Sequence, residues 1–302
     1  MAWGFEHPEA MVLVSLVLPV FLILLKTRNN KVRLKQLFEL NISRLNLGFE
    51  ALRVAALLVL IFTAAVPYYE YTVKRQVQLE QVDQLSENKV LHVVLLDVSR
   101  SITYSYGSRT RFDVAIEALK RYFSSLTPND HVHLAVFSSS VRSVCDGLPV
   151  DCLKALDGLT AGERFTALGD SLLYALSISN VADLPAVVVL VSDGMSNYGS
   201  DPLQVATLFK SKGLPMMIIS IGGQGIIPQV TEAAGAEVYV VNEFTIEAIE
   251  SLAAKAAREA RYNALLAKGE AYIEEVRRSY EPARILSMIA LFLAFSALVD
   301  GV

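Results

Sequence analysis

The chain has 302 residues, of which 53% are hydrophobic and only 19% are charged. Soluble domains carry roughly 25% charged residues, so this composition favours membrane segments and excludes a disordered, collagen-like or coiled-coil protein. A formal net charge of −4 gives no basic surface for nucleic acid, and two cysteines exclude a disulfide-dense scaffold or a four-cysteine zinc site.

Two apolar segments near the start of the chain predict transmembrane helices at about 8–25 and 50–69, with buried core helices as the alternative. The loop between them, 26–50, is rich in Lys and Arg, whereas the tail before the first segment has neither. The positive-inside rule therefore predicts a cytoplasmic loop and places the chain after the second segment outside the cytoplasm. Residues 1–69 are the predicted membrane anchor.

Residues 70–87 are a predicted connecting segment, in which the alternation over 70–80 indicates an edge strand. From 88 to 243, patterns of buried strands alternate with amphipathic helices, which predicts an α/β domain with a doubly wound, mostly parallel sheet. The predicted strands are 90–96, 131–137, 141–145, 186–191, 216–221 and 237–241. The predicted helices are 111–126, 153–159, 167–178, 202–212 and 228–234.

The segment 244–282 has apolar residues at helical spacing over 246–280, which predicts one long helix or two. The charged side chains of this segment are predicted to form either a solvent-exposed face of the helix or a surface that binds a partner. Pro282 marks a break before a third predicted transmembrane helix at 283–302.

Oxygen-bearing side chains lie in three of the loops that connect the predicted strands and helices. Asp97, Ser99 and Ser101 end the first buried strand, Thr166 precedes the helix at 167, and Asp193 follows the strand at 186–191. Because the carboxyl ends of parallel strands share one edge, these five side chains are expected to converge. Carboxylates and hydroxyls suit Mg²⁺, Mn²⁺ or Ca²⁺. A helix N-cap with a turn is the purely structural alternative.

The series Asp-x-Ser-x-Ser, then Thr, then Ser-Asp-Gly resembles the metal-ion-dependent adhesion site of von Willebrand factor A domains, over about residues 88–243. The resemblance implies that Ser99, Ser101 and Thr166 approach the metal directly. It also implies that Asp97 and Asp193 often act through water, which keeps the ion electrophilic toward a carboxylate of a protein partner.

The layout of two early spans, a basic loop, the α/β domain and a last span resembles the Bat-type membrane proteins of aerotolerance operons. The opening Phe5-Glu6-His7-Pro8 is similar to theirs. The resemblance implies partners among MoxR-type AAA+ ATPases and other proteins with the same domain. The sequence has no Walker A motif, so the chain is not itself the ATPase.

Three further features are weaker candidates. Cys145 and Cys152 bracket a short loop, and both a disulfide and two free, half-buried thiols are open. The Gly-rich segment 221–225 favours a tight turn over an anion cradle. His131 and His133 lack acidic or cysteine ligands at zinc spacing and favour a structural role.

These patterns predict an integral cell-membrane protein with an extracytoplasmic domain, which binds an Asp or Glu of a protein partner through Mg²⁺. They predict recognition and no enzymatic activity, because no general base is present beyond the metal ligands. The alternatives are a structural subunit of a membrane assembly, in which the metal only braces the fold, and a cytoplasm-facing adaptor for an AAA+ ATPase.

Overall fold

The computed structural model describes residues 2–17, 19, 26, 47–222, 225–241 and 245–299. The chain divides into two compact units, Gln76–Ile273 and the combination of Met1–Arg75 with Glu274–Val302. The predicted domain, 88–243, lies inside the first of these units. Most of the first predicted span beyond residue 17, and most of the basic loop, lie outside the described residues.

The strands and helices are named here in chain order. The strands are β1 (Ala2–Phe5), β2 (Pro67–Gln76), β3 (Leu91–Asp97), β4 (Ser105–Tyr106), β5 (Arg109–Thr110), β6 (His131–Phe137), β7 (Val141–Gly147), β8 (Ala186–Ser192), β9 (Met216–Ile221), β10 (Glu237–Val241) and β11 (Tyr272–Ser279). The α-helices are α1 (Leu47–Ala64), α2 (Arg111–Ser124), α3 (Pro149–Ala155), α4 (Leu168–Val181), α5 (Pro202–Lys212), α6 (Ile227–Ala234), α7 (Ile246–Lys268) and α8 (Glu281–Val299). Short 3-10 helices cover Pro8–Leu16, Leu79–Leu85, Arg100–Thr103 and Leu156–Gly158.

The unit Gln76–Ile273 is built on a six-stranded sheet in the order β10-β9-β8-β3-β6-β7. All neighbouring strands are parallel except β7, which pairs antiparallel with β6. Every residue of β3 and β8 is buried, because helices cover both faces of the sheet. The predicted α/β fold with a mostly parallel sheet is therefore confirmed.

The two faces of the sheet carry separate hydrophobic cores. Along β3, Val94 and Leu96 join the core beneath α2, α3 and α7, whereas Val93 and Leu95 join the core beneath α4, α5 and α6. This alternation is the two-residue period of a strand, and it makes the domain doubly wound. The loops that follow the parallel strands consequently meet at one edge.

The segment 246–280 differs from its prediction. α7 ends at Lys268 because Gly269, with φ of 73°, provides a left-handed C-cap. The chain then forms β11 over Tyr272–Ser279, so the predicted continuation of the helix is wrong. The predicted strand at 70–80 exists as β2, but it is the central strand of the sheet β1-β2-β11 and not an edge.

The smaller unit contains the segments that were predicted to span a membrane. The first begins as a 3-10 helix at Pro8–Leu16, the second forms α1 and turns at Val66 into β2, and the third forms α8. In the part of the chain that the structure describes, no helix combines the length and the apolar character that crossing a membrane requires. The three predicted spans are thus not confirmed.

Candidate functional site

Asp97 lies at the carboxyl end of β3 and is fully buried. Its Oδ1 accepts a hydrogen bond from the backbone N–H of Ser99 at 2.9 Å, and its Oδ2 accepts one from the hydroxyl of Ser192 at 2.7 Å. Ser192, the last residue of β8, also accepts a bond from the N–H of Gly194 at 3.0 Å. The two central strands therefore fix the orientation of the Asp97 carboxylate from both sides.

The two serines of the first loop lie beside this carboxylate. The hydroxyl oxygens of Ser99 and Ser101 are 3.2 Å apart. Ser99 is buried, and Ser101 lies in the 3-10 turn Arg100–Thr103, which turns the chain back over the sheet edge. Two neutral hydroxyl oxygens therefore lie side by side at this edge.

Asp193 follows β8 and is also buried. Its Oδ1 accepts a bond from the N–H of Met195 at 3.1 Å, while its Oδ2 accepts one from Nη1 of Arg111 at 2.8 Å. Arg111 is the first residue of α2, and its side chain is 21% exposed. Its Nε is buried and has no hydrogen-bond partner among the described residues. Arg111 was not anticipated from the sequence, and it supplies a fixed positive charge at the site.

Thr166 is buried in the loop before α4. Its backbone N–H donates to Oδ1 of Asn197 at 2.9 Å, and its carbonyl accepts from the N–H groups of Asn197 and Tyr198 at 3.1 and 3.2 Å. The loop after β8 thereby holds the Thr166 loop. Asn197 is a positioning residue that the sequence analysis missed.

The loop that contains Thr166 is also hydrogen-bonded to the loop that follows β3. The N–H groups of Gly162 and Glu163 donate to the carbonyl of Val98 at 3.0 and 3.3 Å, and Ser99 forms a bridge with Glu163. The hydroxyl of Ser138, which follows β6, donates to the carboxylate of Glu163. The three loops that carry the five predicted residues therefore form one bonded edge.

Electrostatics at this edge disfavour the ionised form of Asp97. Burial raises the pKa of Asp97 to about 6, and the nearby negative charge of Asp193 adds to the increase, although hydrogen bonds from Ser99 and Ser192 lower it. The donor set fits a hard divalent cation, because two carboxylates and three hydroxyls offer oxygen ligands, while Arg111 offsets part of the negative charge. In the described ranges, no cluster of three or more His, Cys, Asp or Glu side chains could hold a metal ion.

The weaker candidates have local roles in the structure. Cys145 of β7 and Cys152 of α3 form a disulfide with a Cα–Cα distance of 5.4 Å. His131 contacts Oδ1 of Asp146 at 2.7 Å through Nε2, and His133 contacts the hydroxyl of Tyr174 at 2.8 Å.

The Gly-rich segment supports the site through its backbone, although residues 223 and 224 lie outside the described residues. A Cβ atom on Gly225 would lie 2.1 Å from the carbonyl oxygen of Gly194, so this close approach requires glycine. The N–H of Ile226 donates to the same carbonyl at 2.9 Å. The segment thus braces the loop that carries Asp193.

Comparisons with known proteins place this geometry in context. A UPF0353 protein of Nocardia farcinica is 30% identical over 161 residues, which cover 47% of this chain and 48% of the relative. The chain therefore spans about half the length of the curated relatives that it matches.

Two solved structures have similar folds. The first is proximal thread matrix protein 1 of the mussel byssus, with a zinc-occupied MIDAS motif. Its TM-score is 0.50 at 16% identity, and the match covers 75% of this chain and 54% of the mussel protein. An aerotolerance-related membrane protein from Bacteroides fragilis has a TM-score of 0.48 at 16% identity, over 57% and 98% of the two chains.

The family model of the von Willebrand factor type A domain matches residues 93–255, which is more than half of the chain. The match includes all five predicted site residues and the helices on both faces of the sheet. The chain belongs to the von Willebrand factor type A domain family.

Proposed function

We propose that this chain is a membrane-associated recognition protein with no enzymatic activity. Its domain holds Mg²⁺, or Mn²⁺ or Ca²⁺ in its place, at Asp97, Ser99, Ser101, Thr166 and Asp193. A protein partner then offers an Asp or Glu to this edge. The mussel protein, whose name states a zinc-occupied MIDAS motif, supports a divalent ion in a domain of this fold.

The observation that carries the proposal is the charge at the sheet edge. Asp97 and Asp193 are both buried. Among the described contacts, Arg111 forms an ion pair with Asp193, and no cation forms one with Asp97. Burying a carboxylate without a compensating charge is costly, as the raised pKa of Asp97 reflects. A divalent cation bound there would supply the missing positive charge and a binding position for an external carboxylate.

Each residue of the chain has a distinct role in this proposal. Ser99, Ser101 and Thr166 present hydroxyl oxygens toward the ion, and their neutrality leaves it attractive to a partner's carboxylate. Asp97 and Asp193 provide the negative charge, and their hydrogen bonds to Ser192 and Met195 hold them in orientation. Loss of such a supporting contact typically lowers metal affinity by about tenfold to a hundredfold.

Replacing Asp97 by asparagine should lower the affinity for Mg²⁺ by about tenfold to a hundredfold, since one of two anionic groups is lost at an unchanged side-chain size. Isothermal titration of the EDTA-treated full chain in detergent would measure this affinity. Asp183→Asn, at a fully exposed aspartate, is the matched control and should bind as the unmodified protein does. Equal affinities of all three proteins would contradict the assignment of the site.

The recognition step is tested by isolating the solubilised chain from native membranes in Mg²⁺, in EDTA, and as Asp97→Asn in Mg²⁺. A partner that is retained in the first condition alone is the expected result. A partner retained in all three would instead favour a structural subunit whose apolar segments make the contacts.

We infer an extracytoplasmic location from the disulfide, because such bonds persist in oxidising compartments. Cys145 and Cys152 in native membranes should react with a maleimide only after reduction and denaturation. Reaction of both thiols without a reductant would contradict the location and favour the cytoplasmic adaptor. The chain contains no other cysteine, so the labelling is unambiguous.

Membrane attachment is part of the same proposal, and its support is the apolar sequence of 8–25, 50–69 and 283–302. The basic residues of 26–50 support a cytoplasmic position for that loop. Other membrane proteins with this domain, and a MoxR-type AAA+ ATPase, are the proposed members of the assembly.

A further inference from the structure

The edge that carries the site also displays apolar side chains to solvent. Tyr104, Phe165, Met195 and Tyr198 are 55%, 53%, 49% and 54% exposed. Each follows or precedes a predicted metal ligand by a few residues, so all four belong to the same three loops. Single exposed apolar residues are ordinary and occur elsewhere on the domain, but four of them in the loops of one site indicate a contact surface. We call these four residues the rim.

Phe165 occupies a strained backbone conformation. Its φ is 64°, in the left-handed region that bulky residues rarely adopt. The conformation is held from the next residue, because Thr166 is bonded to Asn197 and Tyr198 through its N–H and carbonyl groups. The rings of Phe165 and Tyr198 lie 5.5 Å apart, so the two loops present one continuous aromatic surface. Strain of this kind is concentrated at sites that bind.

The charged side chains of these loops favour an acidic partner. Arg100, Arg109 and Arg164 are exposed, and they flank the predicted ligands in sequence. The acidic side chains nearby are engaged within the chain: Glu163 accepts a bond from Ser138, and Asp113 accepts bonds from Thr110. The three arginines therefore add positive charge beside the rim, against the two negative charges of Glu163 and Asp113.

We propose that the rim selects a protein loop in which the acidic residue is flanked by apolar or aromatic side chains. This inference rests on the proposed function, since the carboxylate occupies the proposed ion site while its neighbours pack on Phe165 and Tyr198. Aromatic side chains of this size dominate the affinity of many interfaces. The rim supplies selectivity, and the ion supplies the requirement for a carboxylate.

The test uses the full chain in detergent with Mg²⁺ and three fluorescent peptides, Gly-Ser-Leu-Asp-Phe-Ser-Gly, Gly-Ser-Gly-Asp-Gly-Ser-Gly and Gly-Ser-Leu-Asn-Phe-Ser-Gly. The first should bind about tenfold more tightly than the second, and the third should not bind measurably. In the double variant Phe165→Asn and Tyr198→Ser, the first peptide should fall to the affinity of the second. Asparagine tolerates the left-handed conformation, so the loop is expected to remain folded.

The control is Val181→Asn, at an 88% exposed apolar residue at the far end of α4, which should leave all peptide affinities unchanged. The Mg²⁺ affinity of the double variant should equal that of the unmodified protein. Equal binding of the first two peptides would overturn the rim proposal while leaving the proposed function intact. No binding of either peptide would overturn the rim proposal together with the proposed recognition of a carboxylate.

Two other outcomes separate the remaining explanations. Binding of the Asn peptide as tightly as the first Asp peptide would overturn the requirement for a carboxylate, and with it the proposed function. Dihexanoylphosphatidylglycerol is the alternative ligand for an aromatic and basic surface, so its binding is measured too. Rim-dependent binding of this lipid in EDTA, tighter than that of the first peptide in Mg²⁺, would overturn the proposal in favour of a lipid surface.

Discussion

Replacing Arg261 by methionine should lower the free energy of unfolding of the domain by about 3–5 kcal/mol, the usual cost of removing one partner of a buried ion pair. Arg261 of α7 is 3% exposed, and its Nη1 donates to Asp130, which is fully buried. Its Nη2 donates to the carbonyls of Leu85 and Asn88 at 2.5 and 2.7 Å. The substitution leaves a buried carboxylate and two carbonyls without this donor.

In the unmodified protein, no other described side chain supplies positive charge to Asp130. The nearest candidate is His92, whose Nε2 lies 3.9 Å from Oδ2 of Asp130. Burial lowers the pKa of His92 to about 4, so the imidazole is neutral at pH 7, while its Nδ1 contacts the hydroxyl of Tyr122 at 2.8 Å. Asp130 therefore depends on Arg261, and the pair joins the last helix of the domain to the amino end of the sheet.

Urea unfolding of the full chain would measure this loss. Arg258→Met, at an exposed position of the same helix, should change the stability by less than about 0.5 kcal/mol. Adding Asp130→Asn to Arg261→Met should recover part of the loss, because the orphaned charge is removed. A loss below about 1 kcal/mol in the single variant would show that the ion pair contributes little. The Mg²⁺ affinity of the folded variant should be unchanged, since Arg261 lies at the opposite end of β3 from Asp97.

The fold of the domain was largely predictable because its periodicities are strong. The strand at 186–191 is a continuous apolar run, and the helix Pro202–Lys212 begins with a proline and is followed by a C-cap glycine. The prediction of one long helix or two over 246–280 is wrong beyond Lys268, where Gly269 ends the helix. A glycine at that point was a signal for the C-cap that the structure contains.

The candidate site was predictable in its residues and less so in its electrostatics. Asp97 and Asp193 follow buried strands, so their positions follow from the direction of the parallel sheet. The spacing of the predicted ligands does not indicate Arg111, because it is distant from both aspartates in sequence. A signal existed, because a basic residue in the first turn of a helix opposes the macrodipole and calls for another partner. Asn197 gave no such signal, since its role depends on how two loops meet.

The counter-ion role of Arg111 leads to a second large effect. Arg111→Met should destabilise the EDTA-treated protein by about 2–4 kcal/mol, because Asp193 is fully buried and loses its 2.8 Å contact with the guanidinium. The lower end allows for the partial exposure of Arg111. Saturating Mg²⁺ should recover much of this loss, since an ion at the proposed site compensates the same carboxylate. The variant should therefore gain more stability from Mg²⁺ than the unmodified protein does.

Thermal unfolding of both proteins in EDTA and in Mg²⁺ would compare the two gains. Arg109→Met is the matched control, since Arg109 is an exposed neighbour with no described contact to Asp193, and it should leave both gains equal. Equal gains in the Arg111 variant and the unmodified protein would show that guanidinium and metal act independently. A larger gain in the variant would mean that the two cations share one buried charge. Arg111 would then limit how tightly the domain holds its ion before a partner's carboxylate arrives.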